Sequence, residues 1–267
     1  MAAELQFEKK PRAWLNIVDS LVMIKRSSTH ILRNTDQLLG TFFQPIMFLV
    51  LFSAVYSGAV STLDNVSYTD FLMAGLIVQT LAFGSTTTAL AVANDLQKGI
   101  IDRFRSLPMS NLAVLNGHVV SDVFRNILST IVLIIAGFVI GFRPNADGLD
   151  WILLVGLTVL LTLAFSWLSA ILGVVAKSVE GVQWLSFIFV FPLTFASSAF
   201  VNPELMTSWL RPFAENQPIT HIVDTYRSLL IGTPMGDSGW IATIWLVAII
   251  VLSMPIASWL FKRKTTQ

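Results

Sequence analysis

Six long stretches without a single Asp, Glu, Lys or Arg set the limits on this chain: Gln37–Leu63, Phe71–Asn94, Asn126–Phe142, Trp151–Ala176, Gly181–Pro203 and Ser238–Phe261. Each is near or above the roughly 20 residues a helix needs to cross the hydrocarbon core of a bilayer. Backbone in lipid must satisfy its own hydrogen bonds, so such stretches are read as helices. With 54% hydrophobic and 12% charged residues, little is left from which to build a soluble domain. The expected fold class is an all-α polytopic membrane protein of six transmembrane helices in a single domain over residues 1–267. Residues 1–36 form a cytoplasmic and interfacial part, 37–261 the six spans, and 262–267 a basic tail.

Orientation follows from where Lys and Arg fall, because these residues are retained on the cytoplasmic side during insertion. Lys9, Lys10, Arg12, Lys25, Arg26 and Arg33 precede the first span. Lys98, Arg103 and Arg105 lie between the second and third, Lys177 between the fourth and fifth, and Lys262, Arg263 and Lys264 in the tail. The other connections hold Asp64, Asp70, Asp147, Asp150, Glu204, Glu215, Asp224 and Asp237, with only Arg143, Arg211 and Arg227. Both termini are therefore expected in the cytoplasm. No cleavable signal peptide is visible in the first thirty residues, and the absence of cysteine excludes disulfides and thiolate chemistry.

Two amphipathic segments sit on the basic side. Trp14, Ile17, Val18, Leu21 and Val22 recur at helical spacing and predict a helix lying along the cytoplasmic leaflet. The island Asn94–Pro108 reads as a short helix with Leu96, Ile100, Phe104 and Leu107 on one stripe. Asp95, Lys98, Asp102, Arg103 and Arg105 cover its remaining surface, so it can dock a polar partner or serve as a solvated connector.

On the acidic side, the connection from Asn202 to Asp237 is patterned. Pro203–Pro212 and Ile219–Leu230 read as a helix pair separated by Phe213–Pro218, and a dip back into the outer leaflet is expected of it. Pro45, Pro192 and Pro255 lie inside spans and favour kinks. Gly137 and Gly141 form a small-xxx-small pair suited to a close helix crossing or to lipid contact.

No glycine is followed by lysine, so the chain carries no phosphate-cradling loop. His30, His118 and His221 stand apart, read as packed or interfacial residues, and no catalytic or metal-binding constellation accompanies them. Charge counting also places no Asp, Glu, Lys or Arg near a span centre, which argues against coupling to an ion gradient. Polar atoms within spans come from Gln44, Gln79, Ser85, Thr86, Thr87, Thr88 and Gln183.

Lys98-Gly-Ile-Ile-Asp-Arg-Phe-Arg-Ser-Leu-Pro-Met-Ser110, Gly141-Phe-Arg-Pro144, and Asn216-Gln-Pro-Ile-Thr220 with Arg227-Ser-Leu-Leu230 resemble membrane subunits of type-2 ATP-binding cassette exporters. They are most similar to the daunorubicin-resistance permease branch. The resemblance implies a dimer of permease subunits, each docked on a separate cytosolic ATPase that binds ATP and Mg, with no cofactor in this chain. A homodimer is expected over a heterodimer, in the plasma (inner) membrane of a prokaryote, with lipids but no nucleic acid as further partners. By the same resemblance Asn94–Pro108 is a coupling helix, with Arg103 and Arg105 facing the ATPase. Leu96, Phe104 and Leu107 fix that helix, Gly99 admits a close approach and Pro108 ends it. The outer pair, with Asn216, Gln217, Pro218, Val223 and Tyr226, corresponds to re-entrant helices capping the exit. The expected function is export of an amphipathic or lipophilic molecule, be it drug, peptide, lipid or glycan carrier. The competing readings are an ATP-independent channel or secondary carrier, and a membrane-embedded enzyme acting on lipids.

Overall fold

The computed structural model describes residues 35–56, 67–99 and 111–266, and every regular element in them is a helix. In chain order these are α1 (Thr35–Tyr56), α2 (Tyr68–Gly84), α3 (Thr86–Gln97), α4 (Asn111–Ile140), α5 (Gly148–Val175) and α6 (Val179–Phe195). After a single 3-10 turn at Pro203–Leu205 come α7 (Arg211–Asn216), α8 (Pro218–Ile231) and α9 (Ser238–Thr266). Among the described residues four helices are long and apolar enough to cross a membrane: Tyr68–Gln97 taken together, Val114–Ile140, Gly148–Val175 and Ser238–Lys264. Gly40–Tyr56 and Val179–Phe195 are shorter apolar helices.

The starts are fixed by side chains that satisfy free amides. Ser67 caps α2 by accepting from the Asp70 amide at 3.1 Å. Asp147 and Asp150 form a reciprocal capping box at α5, and Ser178 accepts from the Gly181 amide at 3.0 Å at α6. Gly232, at φ 73°, ends α8 in the left-handed region that favours glycine.

α5 lies centrally, packed by α3, α4 and α9, while α2 is held between α1, α4 and α8. Where backbones meet most closely the residue is glycine. A Cβ on Gly173 would lie 2.4 Å from the carbonyl oxygen of Ala89, and one on Gly75 would lie 2.1 Å from that of Ala199. Gly137 receives the end of Met73, as a close crossing requires, whereas Gly141 (φ 115°) terminates α4 and meets no neighbour.

A chain of aromatic rings runs from α6 onto the end of α1 and the start of α2. It links Phe187, Phe191, Phe195, Phe200, Phe52, Tyr56, Tyr68 and Phe71, with successive centroids 4.2–6.3 Å apart. Large apolar side chains remain exposed on α1, α4, α6 and α9, among them Phe43, Val139, Trp184 and Trp240. A surface of that kind suits hydrocarbon or a partner subunit rather than water.

Three expectations are corrected. The second stretch is not one uninterrupted helix but α2 and α3, broken at Ser85. There Ser85 donates to the Leu81 carbonyl at 2.8 Å, Thr86 to Phe83 at 2.7 Å and Thr87 to Gly84 at 2.9 Å. Hydroxyls returned to the preceding turn in this way compete with the ladder and bend helices. The third helix begins at Asn111 rather than Asn126, so Asp122 and Arg125 lie inside a membrane-length helix and Arg125 falls near its midpoint. In the connection from Asn202 to Asp237 the short helix is Arg211–Asn216, which lies largely in the expected separator Phe213–Pro218, and Pro203–Pro212 is mostly turn.

Candidate functional site

His118, Asp122, Arg125 and Asn126 lie at successive turns of one face of α4, the i, i+4, i+7, i+8 spacing that aligns side chains along a helix. Asp122, Arg125 and Asn126 are buried. Asp122 Oδ1 lies 2.6 Å from an Arg125 terminal nitrogen and accepts from the Thr87 hydroxyl at 3.0 Å. Its Oδ2 accepts from Thr88, and from Ser166 of α5 at 3.2 Å. Arg125 also donates to the Gly84 carbonyl at 2.6 Å, which sits at the break. Asn126 donates to Ser85 at 3.3 Å and Thr162 at 3.4 Å. One turn toward the start of α4, His118 Nε2 lies 2.9 Å from Asp95 Oδ2 at the end of α3. An ion pair at such depth persists only when each charge has partners. Here the carboxylate accepts from three hydroxyls and the guanidinium donates to a backbone carbonyl.

Two clefts flank this break. One of 270 Å³ lies between α1 and α2, lined by Gln44, Pro45, Phe48, Gln79, Phe83 and Thr87 among others. The second, of 530 Å³, lies between α3 and α6 and shares Phe83 and Thr86 with the first. A third groove, of 650 Å³ and almost wholly apolar, runs between α5, α8 and α9.

The two ends of the bundle differ in charge. At one end Gln97 reaches the Lys177 carbonyl at 3.5 Å, while Lys264 donates to the carbonyls of Val174 and Ala176 at the end of α5. Cations at a helix C-terminus complement its dipole. At the other end Asp70 accepts from the Arg143 amide at 2.9 Å, and the Asn145 amide donates to Leu230 at 2.9 Å. Arg227 there contacts Asp224 at 2.8 Å, donates to the Ser198 carbonyl at 2.8 Å and lies 3.8 Å above the Phe71 ring. The helix ends thus group the Lys-rich connections together and the Asp-rich connections opposite them.

The residues singled out in the sequence are dispersed. Trp14, Ile17, Val18, Leu21 and Val22 lie outside the described residues, as do Asp102, Arg103, Phe104, Arg105, Leu107 and Pro108. Asn94–Gln97 is the last turn of α3 rather than the start of a separate helix. Asp95 is buried against His118 and not on an open polar face, because α4 packs over that side. Lys98 is exposed. Gly99, at φ 61°, closes α3, its amide reaching the Leu96 carbonyl at 3.3 Å. Leu96 packs beside the cluster containing Val92, Leu115 and Trp167.

In the segment between α6 and α9 Gln217 donates to the carbonyls of Leu193 and Ala196, bracing the end of α6. Asn216 is exposed and donates to the Pro212 carbonyl at 2.8 Å, and Pro218 opens α8. Val223 is fully buried, as is Tyr226, whose hydroxyl lies 2.8 Å from that of Thr158. The residues that sequence reasoning missed are Asp122, Arg125, Asn126 and Ser166. The signal for the first three was present in the helical spacing of polar groups immediately ahead of an apolar run, whereas Ser166 lies inside the charge-free run Trp151–Ala176.

Comparison with known proteins agrees with this architecture. The family model described as ABC-2 type transporter matches residues 20–231. The daunorubicin resistance ABC transporter permease protein DrrB1 of Streptomyces coeruleorubidus is 31% identical over 229 residues, covering 85% of this chain and 80% of that protein. The probable doxorubicin resistance ABC transporter permease protein DrrC of Mycobacterium tuberculosis is 25% identical over 256 residues, 92% of this chain and 89% of that protein. The doxorubicin resistance permease protein DrrB of the same organism is 24% identical over 215 residues, 78% and 74% respectively. Membership in this family implies an ATP-binding partner subunit. The chain belongs to the ABC-2 type transporter family, as a multi-pass transmembrane permease subunit of an ATP-binding cassette exporter.

Proposed function

We propose that this permease exports an amphipathic or lipophilic molecule, driven by a separate ATPase that pushes on the segment from Lys98 to Pro108. The observation that carries this reading is the exit of α3 at the Lys-rich end: Lys98 is exposed and Gly99 turns the backbone directly into Ile100-Ile-Asp-Arg-Phe-Arg-Ser-Leu-Pro108. Arg103 and Arg105 meet an acidic patch on the ATPase, and Leu96, Phe104 and Leu107 anchor the segment. ATP and Mg are bound by that partner, and this chain contributes no catalytic group.

The whole of 1–267 forms one membrane domain in which α1 and α6 complete six spans. The Lys-rich end faces the cytoplasm of a prokaryote, and Trp14–Val22 lies along the inner leaflet. The exposed apolar faces of α1 and α6 support a second copy as partner, in a homodimer. α7 and α8 form the outer re-entrant pair. Daunorubicin, named for the Streptomyces coeruleorubidus relative, is the first cargo to test.

The test reverses two charges. Arg103→Glu with Arg105→Glu should leave insertion and dimerisation intact, because both residues lie outside the apolar stretches, and should abolish ATPase association by like-charge contact. Phe104→Asp should act alike through loss of an apolar anchor. Co-purified ATPase and vanadate-sensitive daunorubicin uptake into inverted vesicles are the measurements. Parental levels of ATPase association in both variants sink the coupling assignment, whereas retained ATPase without daunorubicin uptake in the parent redirects only the cargo.

A further inference from the structure

The buried polar ladder on α4 begins where α3 leaves the bundle and ends at the α2–α3 break that forms a wall of the α1–α2 cleft. Its lower rung is Asp95 with His118, three residues before Lys98. Its upper rung is Asp122 and Arg125, joined through Thr87 and Gly84, which both line the cleft. We infer that this ladder is the positioning device that carries displacement of the segment after Gly99 to the α1–α2 cleft, with Asp122 and Thr88 as positioning residues. The inference rests on the reading that work enters through that segment.

Three observations support it. First, the upper rung can re-pair. The Thr87 hydroxyl has one proton and two acceptors in reach, the Gly84 carbonyl at 2.9 Å and Asp122 Oδ1 at 3.0 Å. Arg125 Nε and Asn126 Oδ1 are buried and have no partner among the described residues, so a spare donor and a spare acceptor stand beside the break. A network with such reserves has a second arrangement available, and coupling requires an element with two arrangements that both sites bias.

Second, the break is held from α4 and not by its own ladder alone. Gly84 gives its carbonyl to Arg125, and a Cβ there would lie 2.3 Å from Asn126 Oδ1. Any shift of α4 along its axis therefore moves the acceptors and donors that define the break. Third, α3 is anchored to the same ladder at both ends, by Thr88 on Asp122 and by Asp95 on His118. It also crosses α5 so closely that Gly173 faces the Ala89 carbonyl. α3 is thus tied to α4 at both ends and to α5 along its length, so displacement at its exit is passed to the ladder rather than absorbed within α3.

The chain has no native cysteine, which gives a direct readout. Gln44→Cys places a single thiol in the cleft, and its labelling by a membrane-permeable maleimide is followed in vesicles containing the permease with its ATPase, with and without Mg-ATP and vanadate. In the parent, trapping should change the labelling rate by about five-fold or more, the lower end of ordinary coupling between sites. Thr88→Val, which removes one hydroxyl at constant volume, and Asp122→Asn should each reduce that change below about two-fold while the associated ATPase still hydrolyses ATP. Thr88→Ser should restore it. A purely structural role would lower complex yield and hydrolysis together and would not separate them.

If Asp122→Asn does not assemble, the Thr88→Val and Thr88→Ser pair decides. The inference is overturned if Thr88→Val keeps the parental response, or if the parent complex hydrolyses ATP while Gln44→Cys stays indifferent to trapping. Failure of any ATPase to co-purify with the parent is a different result, and it removes the transporter reading on which the inference stands.

Discussion

Gly75 lies where α2 passes against the backbone turn at Ala199, and its missing side chain is what allows that close approach. A Cβ there meets the oxygen, carbonyl carbon and Cα of Ala199 at 2.1, 2.6 and 2.7 Å, and backbone atoms cannot swing aside. Gly75→Ala should destabilise the folded permease by about 1–3 kcal/mol or more. Gly156 lies in mid-helix on α5 with nothing within 4 Å of a Cβ, so Gly156→Ala should gain about 0.5–1 kcal/mol from helix propensity. Thermal unfolding in detergent measures both; a Gly75→Ala protein that melts with the parent would refute the close crossing. In the sequence these two glycines look alike, each inside a charge-free run. What separates them is a crossing between segments more than a hundred residues apart, which no local pattern records.

At the scale of elements, apolar runs located every long helix but not its ends. α4 was cut short at Asn126 because Asp122 and Arg125 end the uncharged run, although they neutralise each other across one turn and continue the helix. The break at Ser85 was legible in principle, since Ser85-Thr-Thr-Thr88 returns hydroxyls to the turn before it, yet the run is apolar enough overall to read as one span. The island after Asn94 was divided by the left-handed Gly99, a backbone conformation that composition does not reveal.

α8 shows the opposite case, its stripe of Ile219, Ile222, Val223, Tyr226, Leu229 and Leu230 being buried as the period required. Its one buried cation makes a planar set of contacts: Asp224, the Ser198 carbonyl and the face of Phe71. An ammonium cannot reproduce that fork and stack. Arg227→Lys and Arg227→Gln should therefore each lose about 2 kcal/mol, the scale of hydrogen bonds to a charged group. Unfolding in graded denaturant checks this, and full retention of stability by Arg227→Lys would show that charge alone suffices.

For the whole molecule, the sorting of Lys-rich from Asp-rich connections was legible residue by residue, because it depends only on counting along the chain. Membrane orientation can then be read with single cysteines. Asp237→Cys should react with an impermeant maleimide in intact cells and Lys98→Cys only after the membrane is opened; both residues are exposed. Labelling of Lys98→Cys from outside would invert the orientation. Val223 is unsuited to test whether the outer pair dips into lipid, since packing alone shields it. Trp209, 77% exposed at the turn before α7, is the better probe. If that turn lies in the outer leaflet, Trp209→Cys should label slowly with the impermeant reagent and quickly with a permeable one, and equal rates would place it in water.

The aromatic chain at the Asp-rich end has a consequence for biosynthesis. Phe52 and Tyr68 stack toward or bond to Phe200, and Tyr68 and Phe200 are 132 residues apart in the chain. At the ordinary pace of translation that interval lasts roughly 10 s, during which the rings at the Tyr56 and Tyr68 ends of α1 and α2 stay uncovered. The Asp-rich end of the bundle is thus among the last parts to close as the chain emerges, and a ribosome that stalls after α5 leaves a nascent permease open at that end.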